Sequence, residues 1–438
     1  MTASVSLSPM HDVVRAMLDE TRERTLQLVS TLSPEDLARQ HDPLLSPIVW
    51  DLAHIAHFEE LWLTRNLDGP IRFVEMPGLF NPMEYPRSER GELPLPGLED
   101  CVTLMAGIRE RVLRRLRDVD FDRGPELARA GFVYHLVVQH EVQHNETMLQ
   151  TMQLKSGAPY RPPVRRRHPE SSPPTDLGRM VVFPGGEVTL GTDDRSVAYD
   201  NERPRHQRSL APFAIDAYPV TNAEYADFIQ ADGYRQPGLW SAAGQAWLAE
   251  SGASAPAYWE RRHGNWWSRV MDREGPVAPD HPVCHVSFYE AEAFARYSGK
   301  RLPTEAEWEV AATWDPVAGA ARRFPWGDEP VMSDLANVDQ LGFGTAPVGA
   351  YSANVSPMGC YGMIGDVWEW TSSDFVGYPG FQAYPYPEYS ETFFGSEYKV
   401  LRGGSWATRP SAVRGTFRNW DYAIRRQIFS GFRCARDG

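Results

Sequence analysis

FVYHLVVQHEVQHNETMLQTMQL, residues 132–154, decides the fold of the first third of the chain. It lacks Pro and Gly, and its apolar residues recur at three- and four-residue spacing, as in a helix buried in a bundle. His140 and His144 stand four apart in it, so their side chains lie about 40° apart around the axis and can address one ion. Glu146 projects about 200° away from His144, so this helix alone does not build a facial triad. A third ligand has to come from another helix. VWDLAHIAHFEELWL, residues 49–63, offers His54 or His57, and ligands projected from facing helices are a known way to build an open metal site in a bundle.

Outward from this pair, the same periodicity predicts helices over 13–32, 47–66 and 98–119, with Ser33 and Pro34 opening a short element between the first two. Four long helices imply an up-and-down bundle. A Pro- and Gly-bearing loop, 77–96, joins the second and third. A single His on an apolar helix face is more commonly a hydrogen-bonded core residue than a ligand, and the pair plus a neighbouring His is what raises the metal alternative. Three neutral imidazoles suit Fe(II), Zn or Cu, so spacing leaves the metal open.

Composition changes at residue 156. SGAPYRPPVRRRHPESSPPTDL, residues 156–177, holds six prolines and no apolar periodicity, the signature of a linker or extended strap. Its Arg run has no interleaved aromatics and is expected to be a solvated face. Beyond it, short β-like runs such as MVVFPGGEVTLG alternate with helix patterns such as TEAEWEVAA, and most Trp and Gly lie here. The expected organisation is a helical domain over 1–155, a linker over 156–178 and an α+β domain over 179–438.

At 438 residues the chain can bury two or three cores. Its 44 Lys plus Arg against 58 Asp plus Glu give a formal charge of −14, which argues against a nucleic-acid or anionic-membrane surface. No apolar run approaches the roughly 20 residues that span a bilayer, and the first residues lack a signal-peptide core. Cys101, Cys284, Cys360 and Cys434 show no CxxC spacing, consistent with reduced thiols in a cytoplasmic protein.

The HEVQHNE pattern, with WDLAHI before it, resembles the iron site of the DinB-like amino-terminal domain of the ergothioneine-biosynthetic sulfoxide synthases. The second half is similar to the formylglycine-generating-enzyme-like fold, which is C-type-lectin-like, through LPTEAEWE, FPWGD, GMIGDVWEWTSSD, LRGGSWAT and GFRCARD. Enzymes that make formylglycine use a cysteine pair ahead of the last motif. SAVRGTFRNWDYAIRRQIFS contains none, which excludes that chemistry and leaves Cys434 as a packed thiol. LPTEAEWE and GDVWEW read mainly as core and turn signals. Relatives of this fold hold calcium near GDVWEW, so a structural Ca(II) is an implied cofactor, although Gly362 stands where the pattern commonly has Asn.

The resemblance implies Fe(II) held by His54, His140 and His144, with His57 left to packing. It implies joining the sulfur of gamma-glutamylcysteine to the imidazole of hercynine with O2, in an active site at the interface of the two domains. Gln143, Asn419 and Trp420 match positions that contact hercynine. Arg87 and Arg90 would clamp carboxylates of the thiol while Asp421 pairs with its amine. Tyr378 is the candidate proton donor, with Tyr384, Tyr386 and Tyr389 close behind it. Cysteine or a selenosugar as donor, histidine as acceptor, and a non-enzymatic metal-stabilised binding protein are the alternatives. The partners expected are small molecules, and a monomer is compatible with all of this.

Overall fold

A computed structural model describes residues 9–67, 78–169 and 174–438. Pro77 of the expected loop and residues 170–173 of the expected linker lie outside the described residues. The chain forms two compact units, one comprising Met1–Pro163, Asp194–Tyr199 and Tyr384–Tyr386, the other the remainder.

The first unit is a helical bundle of α1 (Pro9–Val29), the short α2 (Pro34–Ala38), α3 (Ile48–Glu60), α4 (Leu98–Leu116) and α5 (Phe132–Leu154). Ser33 starts α2 by accepting the Asp36 backbone N–H, with Pro34 in the first turn, as its position ahead of a short apolar element implies. Where one helix was expected over 47–66, α3 passes at Leu61 into a single π-helical turn, Leu61–Arg65. Wide turns of this kind recur beside functional sites. α3 packs against α4 and α5, and α1 against α5. Leu18, Leu52, Ile55, Trp62, Ile108, Val112, Val133 and Leu149 are buried between them, each contributing about 1.5–3 kcal/mol of transfer free energy before entropy is counted.

This core also contains ions. Arg22 on α1 donates to Glu59 Oε2 at 2.6 Å and to Glu141 Oε1 at 2.9 Å, and Arg109 on α4 donates to Glu59 Oε1 at 2.7 Å. Burial alone would raise the Glu141 carboxyl, yet the Arg22 charge and hydrogen bond outweigh it and hold it below its ordinary value. Four helices are thereby cross-linked around the segments that carry the histidines.

The second unit is α+β. A three-stranded antiparallel sheet has Phe213–Asp216 between Met180–Phe183 and Ala435–Asp437, so the unit's first strand and its last lie in one sheet. A four-stranded sheet runs Asn419–Tyr422, Gly395–Arg402, Trp368–Phe375, Ser430–Gly431, with only the last pairing parallel. α6 (Asn222–Gln230), α7 (Ala242–Ser251), α8 (Phe288–Tyr297) and α9 (Glu305–Thr313) complete it. α6, α8 and α9 each begin with a reciprocal capping box, Thr221/Glu224, Ser287/Glu290 and Thr304/Glu307.

The sequence motifs of this half meet one another as buried ion pairs. Glu369 of GDVWEW accepts from Arg433 of GFRCARD at 2.7 Å and from the Trp308 indole at 2.8 Å. Arg402 of LRGGSW bonds Glu305 and Glu309 of α9, and Arg418 holds Glu305. LPTEAEWE and GDVWEW therefore serve capping, strand formation and core ionic order. All four cysteines are free, and Cys434 is buried.

The described part of the expected linker is divided between the units. Tyr160 donates to Leu28 O at 2.8 Å in the first; Arg166 N donates to Leu341 O at 2.6 Å and Arg165 pairs with Asp272 in the second. The first unit also takes two short stretches from beyond residue 179, where a boundary at 155 assigns it none.

Candidate metal centre

α3 and α5 bring His54, His140 and His144 together: one ring nitrogen from each lies within 4.8 Å of the others. Among the described residues no second group of three or more His, Cys, Asp or Glu side chains converges in this way. The four-residue spacing on α5 puts His140 and His144 on one face, with ring centroids 4.6 Å apart, and His54 from α3 faces both, at 4.9 and 4.8 Å. His57, three residues after His54, stacks on Phe80 instead.

Each ring is held differently. His54 Nδ1 lies 2.8 Å from Phe80 O. A carbonyl only accepts, so Nδ1 carries the proton and Nε2 turns its lone pair inward. His144 Nδ1 lies 2.9 Å from Asp51 Oδ1, which sets the same tautomer. His140 is fixed by stacking, its ring 3.6 Å from Phe58 and 7° from parallel. Burial drives the His54 and His140 imidazoles well below their ordinary pKa, and the other imidazoles add to this. Three imidazoles with ring nitrogens converging, His54 Nε2 and His140 Nε2 being 3.1 Å apart, form a donor set that fits a divalent transition metal. The buried Asp51 Oδ2, which accepts no hydrogen bond among the described residues, fits it too, because it leaves negative charge for a cation to balance.

The other expected site residues fall in three places. Gln143 accepts the Tyr199 hydroxyl at 2.9 Å on Oε1, so its amide is oriented. Arg90 is buried, donating to Ser46 Oγ at 2.9 Å, Tyr85 O at 3.1 Å and Pro82 O at 3.4 Å. Its guanidinium lies 3.7 Å over Trp50, and burial followed by the Arg87 charge pushes its pKa down to about 10. Arg87 is exposed. In the second unit, Asn419, Trp420 and Asp421 occupy one edge strand. Trp420 stacks on Phe375 at 4.1 Å, and Asp421 Oδ1 lies 3.3 Å from Arg425 Nε.

Tyr378 belongs to the ionic core of the second unit. Its hydroxyl donates to Glu309 Oε2 at 3.3 Å, and Arg418 lies 4.1 Å over its ring. Burial, then Glu305 and Glu309, push the phenol far above its ordinary value. Tyr386 is part of the first unit, stacked on Trp62 at 5.0 Å and edge-on to Phe58. At GDVWEW, Asp366 Oδ1 accepts from Asn337 Nδ2 at 2.7 Å and Ala346 N at 2.8 Å. Gly362 takes φ +63°, a turn conformation that disfavours the Asn-like side chain of the family pattern less than most.

Asp51, Phe58 and Tyr199 are not singled out by the sequence, and Tyr386 is only one of the tyrosines close behind Tyr378. Asp51 did leave a signal, a carboxylate three residues before a candidate ligand on an apolar helix face. Tyr199 left none, and the packing of Tyr386 in the first unit left none either, since only the folded chain carries them there.

Fold and site together define a two-domain protein in which a DinB-type bundle presents three converging histidines. Family models agree: the DinB superfamily matches residues 17–148 and the sulfatase-modifying factor enzyme 1-like domain matches 165–438. The chain is 45% identical to the hercynine oxygenase of Mycolicibacterium smegmatis, covering 95% of this chain and 96% of that one. It is 43% identical to that of Mycobacterium tuberculosis over 96% and 97%. The formylglycine-generating enzyme of Streptomyces coelicolor is 36% identical over 61% of this chain and 92% of its own. The chain belongs to the hercynine oxygenase family, an enzyme family of the oxygenase type. No described helix is long and apolar enough to cross a membrane.

Proposed function

We propose that this protein is a non-haem iron(II) sulfoxide synthase acting on hercynine and gamma-glutamylcysteine in the cytoplasm. One observation carries it: three imidazoles converge, one ring nitrogen from each within 4.8 Å of the others, in a chain 45% identical along nearly its whole length to a hercynine oxygenase. The C2–H and S–H bonds break and a C–S bond forms. One oxygen atom of O2 ends on sulfur and the other leaves as water with the two hydrogens.

Iron held by His54, His140 and His144 would supply open positions and redox chemistry for this four-electron change. The protein's share is binding and proton handling. Gln143, Asn419 and Trp420 are assigned to hercynine, whose trimethylammonium donates no hydrogen bond and suits an aromatic face. Tyr199 holds Gln143 Oε1, which orients the amide. Arg87 and Arg90 are assigned to the carboxylates of gamma-glutamylcysteine and Asp421 to its amine. Free cysteine has no second carboxylate for such a pair. Tyr378 is assigned to give its phenolic proton to a reacting oxygen, staying protonated at neutral pH as its surroundings require. Tyr386 is the second candidate, because it is the loop tyrosine packed on Phe58, which stacks on His140.

The test is a mass-spectrometric product assay with iron-loaded protein, hercynine, O2 and each donor separately: gamma-glutamylcysteine, cysteine and a selenosugar. The sulfoxide of the dipeptide adduct as dominant product is the expected result. A dominant cysteine or selenium adduct would move the donor assignment, and no adduct with any donor would favour a ligand-binding protein with a structural metal.

A further inference from the structure

Three buried carboxylates of the bundle, Glu59, Glu141 and Asp51, are treated in two ways. Glu59 meets Arg22 and Arg109, and Glu141 meets Arg22, so each is neutralised by arginine. Asp51 on α3 is equally buried, at 1% exposure, but no arginine or lysine lies within ion-pair distance of it among the described residues. Its partner is the His144 imidazole, 2.9 Å away, and Oδ2 accepts no hydrogen bond among the described residues. A buried carboxylate with a single imidazole as partner is costly. It persists where something else compensates: the Arg90 charge reaches it from beyond ion-pair distance, and a cation among the three histidines would stand directly behind its own partner, His144.

We propose that Asp51 is a positioning residue of the metal centre, holding His144 with Nδ1 protonated and Nε2 turned to the ion while its charge strengthens divalent-cation binding. This rests on the metal assignment made above and adds an inequality among the ligands. His54 is oriented by a neutral carbonyl, His140 by ring stacking alone, and His144 by a carboxylate. A carboxylate polarises the N–H it accepts and makes the opposite nitrogen a stronger donor. His144 is therefore the strongest donor of the three, and Asp51 offsets one of the two positive charges brought into a site whose ligands are all neutral.

The experiment uses the full-length protein freed of metal, as wild type, D51N and D51A, titrated with Co(II) against a competing chelator, with thermal unfolding of each metal-free form. Asn keeps an acceptor for Nδ1–H but not the charge, while Ala removes both. Co(II) affinity should fall about 10-fold in D51N and towards about 100-fold in D51A, with the metal-free Tm of D51N at or above that of wild type because a lone buried charge is gone. Unchanged affinity in both variants overturns the proposal. So does a loss of affinity accompanied in both by a matching loss of metal-free Tm, which marks a merely structural residue. The metal assignment itself fails separately, if wild type takes up no Co(II) or if His144→Ala takes it up as tightly as wild type.

Discussion

Trp50 and His54 lie face to face one turn apart on α3, ring centroids 4.8 Å apart and planes 10° from parallel. Consecutive carbonyls of the 78–80 turn hold them, Leu79 O taking the indole N–H at 2.9 Å and Phe80 O the imidazole at 2.8 Å. Arg90 lies over the same indole and bonds the loop that carries the turn. His54 is thus braced by a loop to which Arg90 is bonded.

Arg90→Ala should lower stability by about 1–3 kcal/mol, since it removes a cation–π contact and leaves buried acceptors unmet. Arg90→Lys should not restore it, because an ammonium cannot reproduce the planar fork. Denaturant unfolding checks both. Arg87→Ala removes an exposed side chain, so Tm should hold while KM for gamma-glutamylcysteine rises about tenfold, the cost of one charged hydrogen bond. An unchanged KM would contradict the assigned clamp.

Glu59→Gln should destabilise the bundle by about 3–5 kcal/mol, because two buried arginines lose their shared counter-charge. Urea denaturation followed by far-UV circular dichroism measures it, and a loss under about 1 kcal/mol would mean the cluster is better hydrated than its burial implies.

Burial pushes the Asp366 carboxyl up to about 7 from 3.8, against the lowering effect of its two hydrogen bonds. A carboxyl raised on folding binds its proton more tightly in the native state, so its contribution is full below about pH 4 and is lost as pH rises through about 7. Asp366→Asn removes this dependence. Relative to wild type, the variant should gain stability between pH 4 and pH 8, by a few kcal/mol in order of magnitude. A Tm difference between the two proteins that stays flat over that range would refute the shift.

Tyr378→Phe should divert turnover from sulfoxide to oxidation of the thiol alone. It should also cost about 1–2 kcal/mol of stability through Glu309. Tyr386→Phe leaves the aromatic stack and removes only a hydroxyl. Product ratios by mass spectrometry separate the two: diversion in Tyr386→Phe, with normal sulfoxide yield in Tyr378→Phe, moves the acid role to Tyr386.

What could be read from sequence follows the range of the physics involved. Helix periodicity is local, so the four long helices, the Ser33–Pro34 start and the His140/His144 face are all written in neighbouring residues. Short motifs joined by capping boxes mark α6, α8 and α9 for the same reason. The choice of His54 over His57 needs the packing of Phe80, and the π turn after Glu60 lies against α4 and α5, contacts that periodicity does not encode. Tyr199 and Tyr386 reach the bundle from residues far along the chain, which periodicity does not encode. Arg90 illustrates the same limit, since a residue that looks like surface charge in PRSER is buried by carbonyls and an indole that only the folded loop assembles.

The most direct test of the chemistry is oxygen consumed per sulfoxide formed, measured with iron-loaded protein given hercynine and gamma-glutamylcysteine. A ratio near one, abolished in His144→Ala, is expected if the three histidines hold the iron that couples the two substrates to O2. Oxygen uptake without sulfoxide, no uptake at all, or the same ratio and rate in His144→Ala would contradict it.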